Sequence, residues 1–155
     1  MKRDTPPIIK IYEALGAIAD KRIEITDSNA KVRSSSKNKY YDVSYDEKQN
    51  AIMSNDNWSY RKWYLGYPAI ALLMIKQILP FSKEFADSLK NIPRKDRNTK
   101  NKNDFEKTLQ QVYNQAEAQW SNLLHLQKFA ANCLQKTESL WFVYLGQKTT
   151  PPSGY

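Results

Sequence analysis

One cysteine, one histidine and four glycines among 155 residues leave little of the usual equipment of an enzyme. With Cys133 as the lone thiol, neither an intrachain disulfide nor a zinc site built on several thiolates can form, and a reducing compartment suits the chain. Cys133 lies inside a helical apolar pattern and reads as a small buried apolar side chain. His125, set between Leu124 and Leu126, reads as a surface or half-buried helix residue. The glycines, Gly16, Gly66, Gly146 and Gly154, are scattered, so no glycine-rich phosphate loop exists. Asp42, Asp46, Glu47 and Asp56 come nearest to a carboxylate cluster, but they fall in strands and turns where acids are routine. Without a nucleophile and base, paired carboxylates or a ligand cluster, the expectation is a protein that is not an enzyme and takes no cofactor or metal.

Long apolar runs are missing too. The longest, Pro68 to Ile75, is too short to span a bilayer. The start, Met1-Lys2-Arg3-Asp4-Thr5-Pro6-Pro7, has charge but no apolar stretch of the signal-peptide kind. The expected location is cytoplasmic.

What the chain does have is apolar content of 41%, ten tyrosines, four tryptophans and a net charge of +8. A chain of this size can bury roughly two thirds of its extended surface, enough for one real core. Lysine plus arginine against aspartate plus glutamate stands at 12 to 9 for residues 1–65, 8 to 3 for 66–103 and 4 to 4 for 104–155. The excess is steepest in the connector Arg94-Lys95-Asp96-Arg97-Asn98-Thr99-Lys100-Asn101-Lys102.

Periodicity places the elements. Thr5-Pro6-Pro7 marks a helix start, and Ile8, Ile11, Tyr12, Leu15 and Ile18 recur at helical spacing to about residue 20. The period then becomes two. Ile23 and Ile25 face Val32 across Asp27-Ser28-Asn29 in one hairpin, and Tyr41, Val43 and Tyr45 lead through the turn 46–50 to Ala51–Met53 in a second. An aromatic loop follows, in which Trp58, Tyr60, Trp63, Tyr64 and Tyr67 crowd around Arg61 and Lys62 and Gly66 closes the segment. Pro68 starts a helix over 69–79, apolar on nearly every side and ended by Pro80. Ser82 caps a short helix carrying Phe85, Ala86 and Leu89. Beyond the connector, Phe105, Leu109, Val112, Ala116, Trp120, Leu123, Gln127, Ala130, Leu134 and Trp141 form a long helical stripe. Antiparallel packing on the 69–79 helix, with a break near 120–137, would give it a partner. These elements predict a mainly α protein: a helical bundle with a small antiparallel β-hairpin excursion near residues 22–53, a single domain over 1–148 and a tail at 149–155.

Two strands, a loop and a helix resemble the outline of a ββα zinc module, yet Ile52, Ser54, Gly66 and Pro68 would stand at the ligand positions and none binds zinc. Binding of a polyanion fits better, because each neutralised phosphate releases condensed counterions. Arg94, Lys95, Arg97, Lys100 and Lys102 are the first candidates, interleaved with Asn98, Thr99, Asn101 and Asn103 as neutral donors. Arg61 and Lys62 among the aromatics, and Lys37 and Lys39 with Arg33 around Ser34-Ser35-Ser36, are the second. The plain structural alternatives are a solvated loop for the connector and a cap on the core for the aromatics.

Three stretches, Ile11 to Asp20, Ser54-Asn55-Asp56-Asn57 through Tyr64-Leu65-Gly66-Tyr67-Pro68-Ala69-Ile70-Ala71, and Ile92-Pro93 to Thr108, resemble the C-terminal region of the large subunit of type I-D CRISPR Cascade complexes. That region is similar to the separate small subunit of the same complexes. The resemblance implies a non-enzymatic, mostly helical subunit of an antiviral defence complex, present in more than one copy beside other Cascade subunits. Its implied partners are crRNA and target DNA, with sequence-independent backbone contacts that favour the R-loop. A rival from another class is a protein-interaction scaffold whose 104–142 stripe docks on a partner helix without touching nucleic acid.

Overall fold

The computed structural model describes residues 4–34, 39–61, 64–90, 105–119, 123–140, 142–144 and 151–152. The first element is helix α1, Ile9–Ala19, which is buried without interruption from Ile9 to Ala17. Its polar residues cannot reach water, and Lys10 and Glu13, one turn apart, meet each other instead, Nζ to Oε2 at 2.9 Å. Pairing is what makes two buried charges tolerable.

Four strands follow: β1 (Ile23–Thr26), β2 (Asn29–Arg33), β3 (Tyr40–Asp46) and β4 (Ala51–Ser54). They are antiparallel in chain order. The β1–β2 turn puts Asp27 at φ 52°, a left-handed conformation that aspartate tolerates better than most residues. In the β3–β4 turn the Asp46 carboxylate accepts from the backbone N–H groups of Lys48 and Gln49. Period two then sorts the side chains. Val32, Tyr41, Val43, Tyr45 and Ile52 face the core, while Lys31, Tyr40 and Asp42 face outward.

After α2 (Asn57–Arg61) comes α3 (Tyr67–Ile75), buried from Pro68 to Met74. It packs against α1 and against β3 and β4, so it is the central helix that its unrelieved apolar sequence predicts. Its end is not where Pro80 would put it. Gln77 adopts φ 62°, and the N–H groups of Gln77, Ile78 and Leu79 turn back to the carbonyls of Met74 and Leu73. The chain thus leaves the helix through a left-handed residue, a position that glycine usually fills.

Helix α4 (Lys83–Ser88) has Ser82 as its cap, whose Oγ accepts from the Phe85 N–H. Then come α5 (Phe105–Gln119), α6 (Leu123–Ser139) and β5 (Val143–Tyr144), which joins β4 in parallel. The C-terminal stripe is therefore two helices, and it packs on α1 and α4. Tyr12 of α1 donates to the Tyr113 hydroxyl at 3.1 Å, the rings meeting edge to face at 5.4 Å.

One cluster of buried side chains runs from Ile11 through the sheet and α3 to Phe142. A helical bundle with a hairpin excursion is thereby corrected: the described residues form six helices and a five-stranded sheet, a mixed α and β fold. The reason lies in pairing between the two hairpins. The register Arg33↔Tyr40 fuses them into one sheet, whose apolar face supplies a full layer of the core.

Gln77→Gly should raise stability by about 0.5–1 kcal/mol, the left-handed penalty less the freedom glycine adds to the unfolded chain, read from the denaturation midpoint. Burial, reinforced by Tyr113, holds the Tyr12 phenol far above its ordinary range of about 10. Its neutral form thus stabilises the fold fully below about pH 10, and that contribution is lost as pH rises further and the unfolded phenol ionises. Unfolding free energies should fall about 1.4 kcal/mol per pH unit less steeply in Tyr12→Phe than in the parent once the pH exceeds about 10.5, and equally below about pH 9.

Candidate functional site

Ser54-Asn55-Asp56-Asn57 is the joint between the sheet and the helices. Asn55 extends the pairing of β4 with β3, its side-chain Oδ1 accepting from the Asp42 N–H at 2.7 Å and its own N–H donating to the Asp42 carbonyl. Asp56, only 3% exposed, then caps α2. One carboxylate oxygen accepts from the Ser59 N–H at 3.0 Å and the other from the Ser54 hydroxyl at 2.6 Å. Ser59 in turn accepts from the Gly66 N–H at 2.8 Å. A Cβ on Gly66 would lie 2.1 Å from Asp56 Oδ2, so glycine is required at this position for space. The backbone there is ordinary extended chain that any residue adopts.

Arg61 sits exposed in the last turn of α2, where a cation suits the helix dipole. Two aromatics of the same segment, Tyr64 and Tyr67, turn inward. Tyr64 is buried, and its phenol is pushed up by that burial and by the carboxylates of Glu13 and Asp56. Tyr67 lies under the Arg22 guanidinium, 5.8 Å from the ring centre, and against Tyr41. These two cap the core, as the structural alternative for aromatics predicts; Lys62 and Trp63 lie outside the described residues.

The other predicted cations divide similarly. Lys39 is 6% exposed and so presents no open surface to a phosphate. Lys37 and the connector residues Arg94, Lys95, Arg97, Lys100 and Lys102 lie outside the described residues. The helices flanking the connector, α4 and α5, touch each other.

Charge nevertheless gives a clear result. The described residues hold fourteen lysines and arginines against fourteen aspartates and glutamates, whereas the remaining positions hold ten against two. The formal excess of +8 therefore falls at positions outside the described residues.

His125 is exposed on α6. Cys133 is fully buried and lies by the Pro80 carbonyl; burial pushes its thiol up to about 12, against a smaller opposing effect of Lys136. Among the described residues no three of histidine, cysteine, aspartate and glutamate come together as a metal site, and no helix is long and apolar enough to cross a membrane.

Fold and site together define a mixed α and β protein in which helices pack against a largely antiparallel sheet. A family model described as "Uncharacterised conserved protein UCP014422" matches residues 3–143, and the chain belongs to that family. No curated protein and no solved structure matches the chain.

Gly66→Ala should cost about 2–3 kcal/mol by overpacking against Asp56. Because Asp56→Ala removes the obstructing carboxylate, the double variant should lose clearly less than the two single losses combined, in denaturant unfolding of all four proteins. Simple additivity would contradict the contact.

Proposed function

We propose that the protein binds nucleic acid without catalysis and without regard to sequence, through cations that contact the sugar–phosphate backbone. The observation that supports this reading is the net charge of +8 and its concentration over residues 66–103, where eight lysines and arginines stand against three acids. Such a run of cations attracts a polyanion and gains from the counterions that it releases. Arg94, Lys95, Arg97, Lys100 and Lys102 are the leading contacts, with Arg61, Lys62 and Lys37 behind them. Lys39 drops out because it is buried.

The narrower form of the proposal is the one the type I-D resemblance implies: a subunit of an RNA-guided complex, lying against the crRNA–target DNA duplex or the displaced strand. The sheet departs from the helical bundle of that resemblance, so the proposal stands on charge and takes Cascade membership as its particular case. Against the scaffold alternative, Val112 and Ala130 of the 104–142 stripe are buried in this chain's own core.

Arg97→Ala and Lys100→Ala should each weaken binding to unrelated sequences equally and flatten the dependence of log affinity on log salt by about one unit. Unchanged affinity and unchanged slope in both variants would overturn the assignment. Co-purification of a short RNA and further subunits with the chain from its native host tests the narrower form.

A further inference from the structure

Among the described residues, the outward face of the sheet holds a large aromatic ring in the open. Alternation along β3 sends Tyr41, Val43 and Tyr45 into the core and leaves Tyr40 on the other side, 41% exposed. Its cross-strand partner is Arg33 of β2. The Arg33 guanidinium donates to the Tyr40 hydroxyl through Nε at 3.1 Å and Nη2 at 2.8 Å, with its central carbon 5.3 Å from the ring centre. Arg22 Nη1 donates to the Arg33 carbonyl at 2.8 Å, which ties down the end of the strand carrying that cation. The ring is thus held in a fixed direction while much of it remains in water. A ring already ordered loses little side-chain freedom when something stacks on it.

The surrounding charge favours an anionic strand at this end of the face. Lys31 lies on the same side, two residues along β2, and its contact with Asp42 is a long exposed pair at 3.9 Å. Such pairs hold each other weakly and yield readily to a phosphate. Glu24 and Asp42 occupy the row of Lys31, whereas the row of Arg33 and Tyr40 holds a cation and no acid. A flat ring beside fixed cations is what an unpaired base and its phosphate require; a duplex, whose base faces are already stacked, cannot use the ring.

We propose that Tyr40 and Arg33 form a stacking site for an unpaired base of single-stranded nucleic acid, with Arg33 and Lys31 beside the phosphates. The site rests on the nucleic-acid reading above and adds to it the kind of strand and the surface that receives it.

The test is equilibrium binding of the full chain to short oligothymidylate and to inorganic polyphosphate, which has charge but no bases. Tyr40→Val keeps a good strand former at an exposed position, and circular dichroism checks that it folds. It should weaken oligothymidylate binding by about 5- to 150-fold, the effect of losing one stacked base. Polyphosphate binding and the salt slope should not change, because the ring carries no charge. Tyr40→Trp should bind oligothymidylate as the parent does. If Tyr40→Val binds oligothymidylate as tightly as the parent while polyphosphate is still bound, the stacking site is overturned alone. A parent that binds neither polyanion overturns the nucleic-acid reading with it.

Discussion

The Asp56 carboxylate is the point on which the arrangement of layers depends. A sheet and a set of helices can pack in many relative orientations, and apolar contact alone chooses weakly among them, because it has no direction. Hydrogen bonds have direction. Asp56 receives one from Ser54 at the end of β4 and one from the backbone of α2, and it fills the space beside Gly66 where α3 begins. Three elements are thereby fixed to one group of atoms. A charge so deeply buried is tolerable because both oxygens have donors and the positive end of a helix lies beside it.

The same economy governs the other buried charges. Lys10 finds Glu13 on its own helix, and Arg22 reaches the Arg33 carbonyl and the Tyr67 ring. Each of these interactions is internal, so none of them gives the body a field that extends into solvent. The long-range field comes from the net excess of +8, which is steepest over residues 66–103. The buried pairs hold the fold, and the excess cations give the chain its net charge. Added salt, which screens exposed charge far more than buried charge, should act on the second and spare the first.

Much of this was legible in the amino-acid order. Ile8 to Ile18 gave α1, and the alternations at 23–32 and 41–53 gave β1 to β4, since each pattern is local and strong. Helix α2 was hidden, because five residues show barely one helical turn. The end of α3 was misplaced, because glutamine carries no signal for a left-handed conformation and Pro80 does carry one for a stop. The unified sheet was missed because β2–β3 and β4–β5 pairing depends on residues that patterning cannot match to each other. Lys10, Glu13 and Lys39 look like surface residues by type, and only their neighbours bury them. For the site, the basic segments were plain from composition. Tyr40 was not, because its role depends on facing Arg33, which is a fact of register.

The parallel contact of β5 with β4 brings Val143 beside Ala51, and it is strengthened by the Asn50 side chain donating to the Leu140 carbonyl. On a translating ribosome the hairpins emerge long before their last neighbour. Until α6 and the residues after it are released, the far side of β4 has unpaired N–H and C=O groups, the kind of margin on which nascent chains associate wrongly. Closing it requires a contact between distant parts of the polymer, which is slow to find. The short strand at the end therefore acts as a latch whose late arrival sets how long the newborn chain needs protection.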